Sequence, residues 1–138
     1  MTEPLLVLTN CPDEAAADRI ALTLVEQGLA ACVNRLAPVC SIYRWQGNVE
    51  RAVEVPLLIK TTRERYADVE QAIRHLHPYE IPEIIALPIV AGHAAYLRWI
   101  ESETARPLMA SRLTRFLRAA NARPAVQSKS VSRRRRLA

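Results

Sequence analysis

Residues 41–59 read Ser-Ile-Tyr-Arg-Trp-Gln-Gly-Asn-Val-Glu-Arg-Ala-Val-Glu-Val-Pro-Leu-Leu-Ile. Ser41 to Trp45 carries strand chemistry, and Gln46-Gly47-Asn48 turns the chain. Val49, Arg51, Val53, Val55, Leu57 and Ile59 then fall on one face by period-two alternation. The stretch predicts a long β-hairpin. Pro56 marks an edge position or a bulge, because proline has no N–H to give to a ladder. Glu50 and Glu54 are expected on the outer hairpin face, ion-paired or solvated.

On the N-terminal side, Leu5 to Leu8 is a short apolar run that reads as a buried strand. Pro12 just inside a helix start, with Asp13 and Glu14 in the first turn, suits the positive end of a helix dipole. Ala17, Ile20, Ala21, Leu24 and Val25 recur at helical spacing until Gly28 ends the run. Cys32-Val33-Asn34 begins the strand chemistry that leads into the hairpin. On the C-terminal side, Thr61-Thr62-Arg63-Glu64 fits a capping box, and Tyr66, Val69, Ile73 and Leu76 line one face of a second helix. Ile84 to Val90 reads as the last core strand, followed by a short helix carrying Tyr96, Leu97, Trp99 and Ile100. The order β-α-β-β-α-β plus a terminal helix is the ferredoxin-like α+β arrangement, an antiparallel sheet with helices on one face. The hairpin is longer than one such domain needs, so its surplus is expected to extend a neighbouring subunit's sheet.

Between the second helix and the last strand stands His77-Pro78-Tyr79-Glu80-Ile81-Pro82-Glu83. Two prolines restrict the backbone around an imidazole, a phenol and two carboxylates, so the segment aims side chains as well as turning the chain. Composition bounds the remaining possibilities. A 138-residue chain that is 50% apolar and 24% charged has the makeup of a globular domain. No apolar stretch is long enough for a transmembrane helix, and Met1-Thr2-Glu3-Pro4 lacks the basic start of a signal peptide, so a cytoplasmic location is expected. Cys11, Cys32 and Cys40 are odd in number and widely spaced, which reads as reduced thiols. Three glycines in the whole chain and no nucleophile elbow, phosphate loop or His-Glu-x-x-His motif point away from an enzyme.

The charge divides the chain. Residues 1–104 hold nine Lys/Arg against fourteen Asp/Glu, a balance of −5, whereas residues 105–138 hold ten Lys/Arg and no acid, a balance of +10. The first part is expected to be the folded domain and the second a basic extension. In that extension Leu108, Met109, Leu113, Phe116 and Leu117 alternate with Arg112, Arg115 and Arg118, which predicts an amphipathic helix over about 107–121. A disordered tail ending in Arg133, Arg134, Arg135 and Arg136 follows. These arginines are candidates for weak, salt-dependent contact with nucleic acid or an anionic surface.

The segments Ala30-Ala31-Cys32-Val33-Asn34, Ser41 to Glu50, Ile59-Lys60-Thr61, His77 to Glu83 and Tyr96-Leu97-Arg98-Trp99, in this order, closely resemble the CutA-type divalent-cation tolerance proteins over roughly residues 5 to 103. The resemblance implies a compact homotrimer of ferredoxin-like subunits, similar in architecture to the PII signalling proteins. It also implies a part in tolerance of copper and other divalent metals, and no catalytic activity. Two proposed metal ligands carry over directly, Cys32 in Ala-Cys-Val-Asn and His77 in His-Pro-Tyr. Where some members have a cysteine at the end of the first strand this chain has Thr9, with Cys11 nearby, and where some have His-His-Pro it has Leu76-His77-Pro78. Thiolate and imidazole suit copper or zinc, while Glu80 and Glu83 suit harder ions. A second reading is a PII-like sensor, with Tyr43, Trp45, Lys60 and Tyr79 lining an intersubunit pocket for a small anionic metabolite or a partner. His75 and His93 are expected at the surface.

Overall fold

A computed structural model describes residues 2–105. The elements run β1 (Pro4–Cys11), α1 (Glu14–Glu26), β2 (Cys32–Arg35), β3 (Val39–Trp45), β4 (Asn48–Thr62), α2 (Arg63–Leu76), β5 (Ile84–Pro88) and α3 (Ala94–Glu103). The expected amphipathic helix at 107–121 and the basic tail lie outside the described residues.

All strand pairings are antiparallel, in the order β2-β4-β1-β5, and β3 continues along the outer half of β4. This is the expected ferredoxin-like topology, with β2 and β3 together filling the place of one long strand. Gln46 and Gly47 both have positive φ, 48° and 82°, so the hairpin closes in a two-residue turn whose twist matches the strands. Pro56 is neither on an edge strand nor the source of a bulge. It lies in the central strand opposite Leu36, in the gap where β2 has ended and β3 has not begun, and Leu36 N–H still donates to its carbonyl at 3.0 Å. The missing N–H leaves the return bond to Leu36 unmade, at the point where the β2 pairing stops.

Alternation sorts the sheet into two faces. Val7, Cys11, Val55, Leu57 and Ile59 point to one side and pack with Ala17, Ile20 and Leu24 of α1 and Val69, Ala72 and Ile73 of α2 into the core. Leu6, Leu8, Leu58, Ile85 and Leu87 point to the other side and stay partly or largely exposed. α3 covers only one end of that second face, where Pro4 and Thr62 meet Ala94, Leu97, Arg98 and Glu101 around a groove of about 220 Å³. Ile100 is its buried residue, whereas Tyr96 and Trp99 are exposed and lie 5.5 Å apart between ring centroids.

Four local expectations change. β1 extends from Pro4 to Cys11 rather than Leu5 to Leu8, because β4 is long enough to pair with all eight residues. Asp13 is the N-cap of α1, not a first-turn residue: its carboxylate accepts the Ala16 N–H at 2.8 Å, and Pro12 lies before the helix. The capping box at Thr61–Glu64 does not form. Thr62 is the N-cap without a side-chain bond, while the Thr61 hydroxyl donates to Leu29 O at 2.7 Å and ties β4 to the loop after α1. The last strand stops at Pro88, and being the sheet edge it is largely exposed. α1 ends as read, with Gly28 at φ 66°.

Only the inner half of the predicted β4 face is buried. Val55, Leu57 and Ile59 are in the core, but Val49, Arg51 and Val53 are exposed because the hairpin projects past the two helices. Cys40, Ile42 and Arg44 of β3 pair with Val53, Arg51 and Val49 and share that exposed surface.

Candidate functional site

The His77–Glu83 loop does aim its side chains. α2 ends because Pro78 prevents its continuation, and His77 leaves in extended geometry with ψ 135°. Its imidazole turns back under the sheet, almost wholly buried, and both ring nitrogens are engaged. Nδ1 accepts the Tyr79 N–H at 3.1 Å, and Nε2 lies 2.6 Å from Asn10 O. Since Nδ1 accepts, the proton of the neutral ring is on Nε2, which donates to Asn10. The reason lies in the sheet register: β5 starts at Ile84, opposite Thr9, so the Asn10 carbonyl falls one residue beyond the ladder. His77 provides the donor that the ladder does not.

Tyr79 is also buried, its ring 4.6 Å from the imidazole, and its hydroxyl donates to Glu54 Oε2 at 3.1 Å. Glu54 is fully buried, not solvated on the outer hairpin face, and its Oε1 has no partner among the described residues. The alternation that exposes Val53 puts Ala52 and Glu54 on the opposite sheet face, where both are buried. Glu83 accepts from the Asn10 side-chain amide, while Glu80 is exposed. Asn10, Glu54, His77, Tyr79 and Glu83 thus form one connected polar group that pins the loop to the end of β1. Sequence reading missed Glu54 and Asn10. The tyrosine two residues after His77 needed a buried acceptor, but nothing in the spacing said which.

The three proposed metal ligands do not meet. Cys11 is buried in the core, and burial, with Asp13 and Glu54 adding to it, pushes its thiol up to about 12. Cys32 is half-buried at the start of β2, opposite Lys60. Asn10, which His77 touches, is opposite Pro56, four residues from Lys60 along β4, or about 13 Å of strand. Among the described residues no three His, Cys, Asp or Glu side chains converge on a point that could hold a metal. The three donors of this chain therefore do not by themselves form a copper site.

The proposed pocket is spread out in the same way. Tyr43 pairs with Glu50 and Trp45 with Asn48, Tyr79 reaches Glu54, and Lys60 sits opposite Cys32 and Leu6. Six residues of β4, about 20 Å, separate Glu54 from Lys60. Lys60 has its own surroundings: its ammonium donates to Asn34 Oδ1 and lies 3.7 Å from Cys32 Sγ. His75 and His93 are exposed, as expected.

The thiol environments give a direct expectation. Cys40 is exposed and is expected to alkylate first, Cys32 more slowly, and Cys11 only when the domain opens. The raised Cys11 value means the folded state resists its ionisation. That contribution to stability is complete below the ordinary thiol value of 9.0 and is lost as pH rises towards about 12. Cys11→Ala should flatten this alkaline decline in urea melts, and an unchanged slope would contradict the assignment.

The family described as CutA1 divalent ion tolerance protein matches residues 5–103. The divalent-cation tolerance protein CutA of Thermus thermophilus is 46% identical over 99 residues, covering 72% of this chain and 96% of that one. Human Protein CutA is 43% identical over 95 residues, 69% of this chain, which spans only 53% of the human protein's length. Among solved structures, CutA1 of the psychrotrophic bacterium Shewanella sp. SIB1 superposes with a TM-score of 0.74 at 46% identity, covering 76% of this chain and 98% of that one. CutA1 of Oryza sativa gives 0.74 at 33% identity, with 77% and 97% covered. A match that runs from β1 to the end of α3 and includes the loop that pins His77 places this chain in the CutA family of divalent-cation tolerance proteins.

Proposed function

We propose that the protein serves divalent-cation tolerance as a non-enzymatic homotrimer, and that its contact with copper is made by Cys32 at a subunit boundary. The observation that carries this reading is the second sheet face. Leu6, Leu8, Leu58, Ile85 and Leu87 form an apolar surface that α3 covers at one end only, and Ile42, Val49 and Val53 expose a separate apolar patch on the opposite face of the projecting hairpin. Contiguous apolar surface of this kind marks an interface. The hairpin, projecting beyond its own helices, has the length to reach a neighbour's sheet.

Cys32 stands at the margin of that surface, where donors from a second copy complete what one chain lacks. Cys11 is shielded by the core and His77 is committed to Asn10 and Tyr79, which leaves Cys32 as the soft donor among the three. Reduced thiols fit a cytoplasmic location.

Light scattering at micromolar concentration tests assembly, with a trimer mass expected. Titration of the reduced, full-length protein with Cu(I) tests the ligand. Cys32→Ser is expected to lose the tightest binding, by about tenfold or more, while Cys11→Ser and His77→Ala keep the wild-type stoichiometry. Wild-type affinity in Cys32→Ser would sink the copper assignment. A stable monomer would sink the boundary site with it.

A further inference from the structure

Three cations of the folded domain are neutralised by carboxylates, while exposed Arg19 and Arg44 donate only to backbone carbonyls. Arg35 bridges Glu14 at 3.1 Å and Asp18 at 2.8 Å, Arg63 pairs with Glu3, and buried Arg65 pairs with Asp68 at 3.0 Å. Lys60 is different. It is half-buried, and its contacts are the amide oxygen of Asn34 and the sulfur of Cys32. Among the described residues no carboxylate forms a salt bridge with it, although the domain carries fourteen acids. It is also the only lysine before Lys129.

The three side chains share a face because of the sheet register. Cys32 is directly opposite Lys60, and Asn34 follows two residues later on the same side of β2. Lysine has no acceptor, so Asn34 must turn its oxygen to the ammonium, which leaves the Asn34 NH₂ as a donor. The remaining ammonium protons, that NH₂ and the Cys32 S–H are all donors, and the cluster holds no charged acceptor. Its surroundings on this face are Leu6 and Leu87 in the same row and Leu58 and Ile85 in the next. A half-buried cation with neutral partners, on a face too apolar to remain open, requires a counter-charge when that face is covered.

We propose that Lys60, Asn34 and Cys32 form a cradle for a small oxyanion, a carboxylate or phosphate group, held against the second sheet face. Lys60 supplies the charge and the Asn34 amide the orienting hydrogen bond, with the Cys32 thiol at the rim. The covering of the face rests on the homotrimeric reading above, but the donor set belongs to one chain. Anion binding and copper contact would then compete at Cys32, so occupancy of the cradle controls access to that thiol.

Full-length protein at constant ionic strength, in chloride, is titrated with inorganic phosphate and, separately, with citrate, following the melting midpoint and the heat of binding. The wild type is expected to rise in midpoint with one or both anions. Lys60→Met should lose affinity by about tenfold or more, and Lys60→Arg should retain most of it. The basic extension is unchanged in every variant, so anion binding there appears equally in all three and is subtracted. Equal responses from wild type and Lys60→Met overturn the proposal. So does a response that chloride alone reproduces at matched ionic strength. Light scattering on the same samples separates the two readings: a trimer without a Lys60-dependent response refutes the cradle alone, and a monomer refutes the assembly. A phosphate response without a citrate response, or the reverse, identifies which oxyanion the cradle accepts.

Discussion

Replacing Arg65 by alanine is expected to lower the unfolding free energy by about 3–5 kcal/mol, the largest effect of any single polar residue in the domain. Arg65 lies in the first turn of α2 with its whole side chain buried. Nε donates to Thr104 O at 2.9 Å, and Nη1 meets Asp68 at 3.0 Å. Thr104 is the C-cap of α3, and its own hydroxyl donates to Ile100 O at 2.8 Å, so the guanidinium clamps the end of one helix to the start of another. Alanine removes the clamp, leaves a carbonyl without its donor and opens a cavity along the vanished stem. Arg65 Nη2 has no partner among the described residues, so the charge is incompletely used where it stands. Arg65→Met keeps the stem and omits the charge, and should recover most of the loss, to within about 1–2 kcal/mol of wild type. Urea melts at one fixed protein concentration measure both. If methionine is as damaging as alanine, the stabilisation lies in the ion pair rather than the packing.

His77→Ala is expected to cost about 2–4 kcal/mol in the metal-free protein. The substitution leaves Asn10 O and Tyr79 N–H without the ring that satisfies both, and it removes the surface against which Tyr79 packs. A histidine kept only to bind metal predicts the opposite, since removing a ligand from a metal-free protein relieves an unfilled site. The sign of the change in apo protein therefore decides between the two roles. Hydrogen exchange should show the loss confined first to the 77–83 loop and the Thr9–Ile84 end of the β1–β5 ladder. A metal-free His77→Ala protein as stable as wild type would refute the pinning role.

Much of this protein is legible from its residues. Alternation along β4, helical periodicity in α1 and α2, and Gly28 as a stop each report a local preference, and each holds. These signals work because a strand or helix that buries one face must repeat its apolar residues at the period of the backbone. Their order was enough for the ferredoxin-like topology, since few ways exist to connect β-α-β-β-α-β without crossings. The aimed character of the His77–Glu83 loop also follows from sequence, because two prolines restrict the backbone before any partner is known.

What the chain could not declare is which distant groups those aimed side chains meet. Glu54 reads as a solvated acid in a hairpin and is buried only because Tyr79, 25 residues on in sequence, brings it a hydroxyl. His77 reads as a ligand, yet the register of β1 against β5 leaves one carbonyl for it to satisfy. Pro56 reads as an edge marker, yet it sits in the central strand at the gap between two short partners. Thiols that look alike in sequence end in the core, at a sheet margin and in the open. Periodicity decides which face a residue lies on, because that is a property of the local backbone. Burial, charge compensation and hydrogen-bond partners depend on where separate elements stop relative to one another, and only the packed tertiary structure sets that.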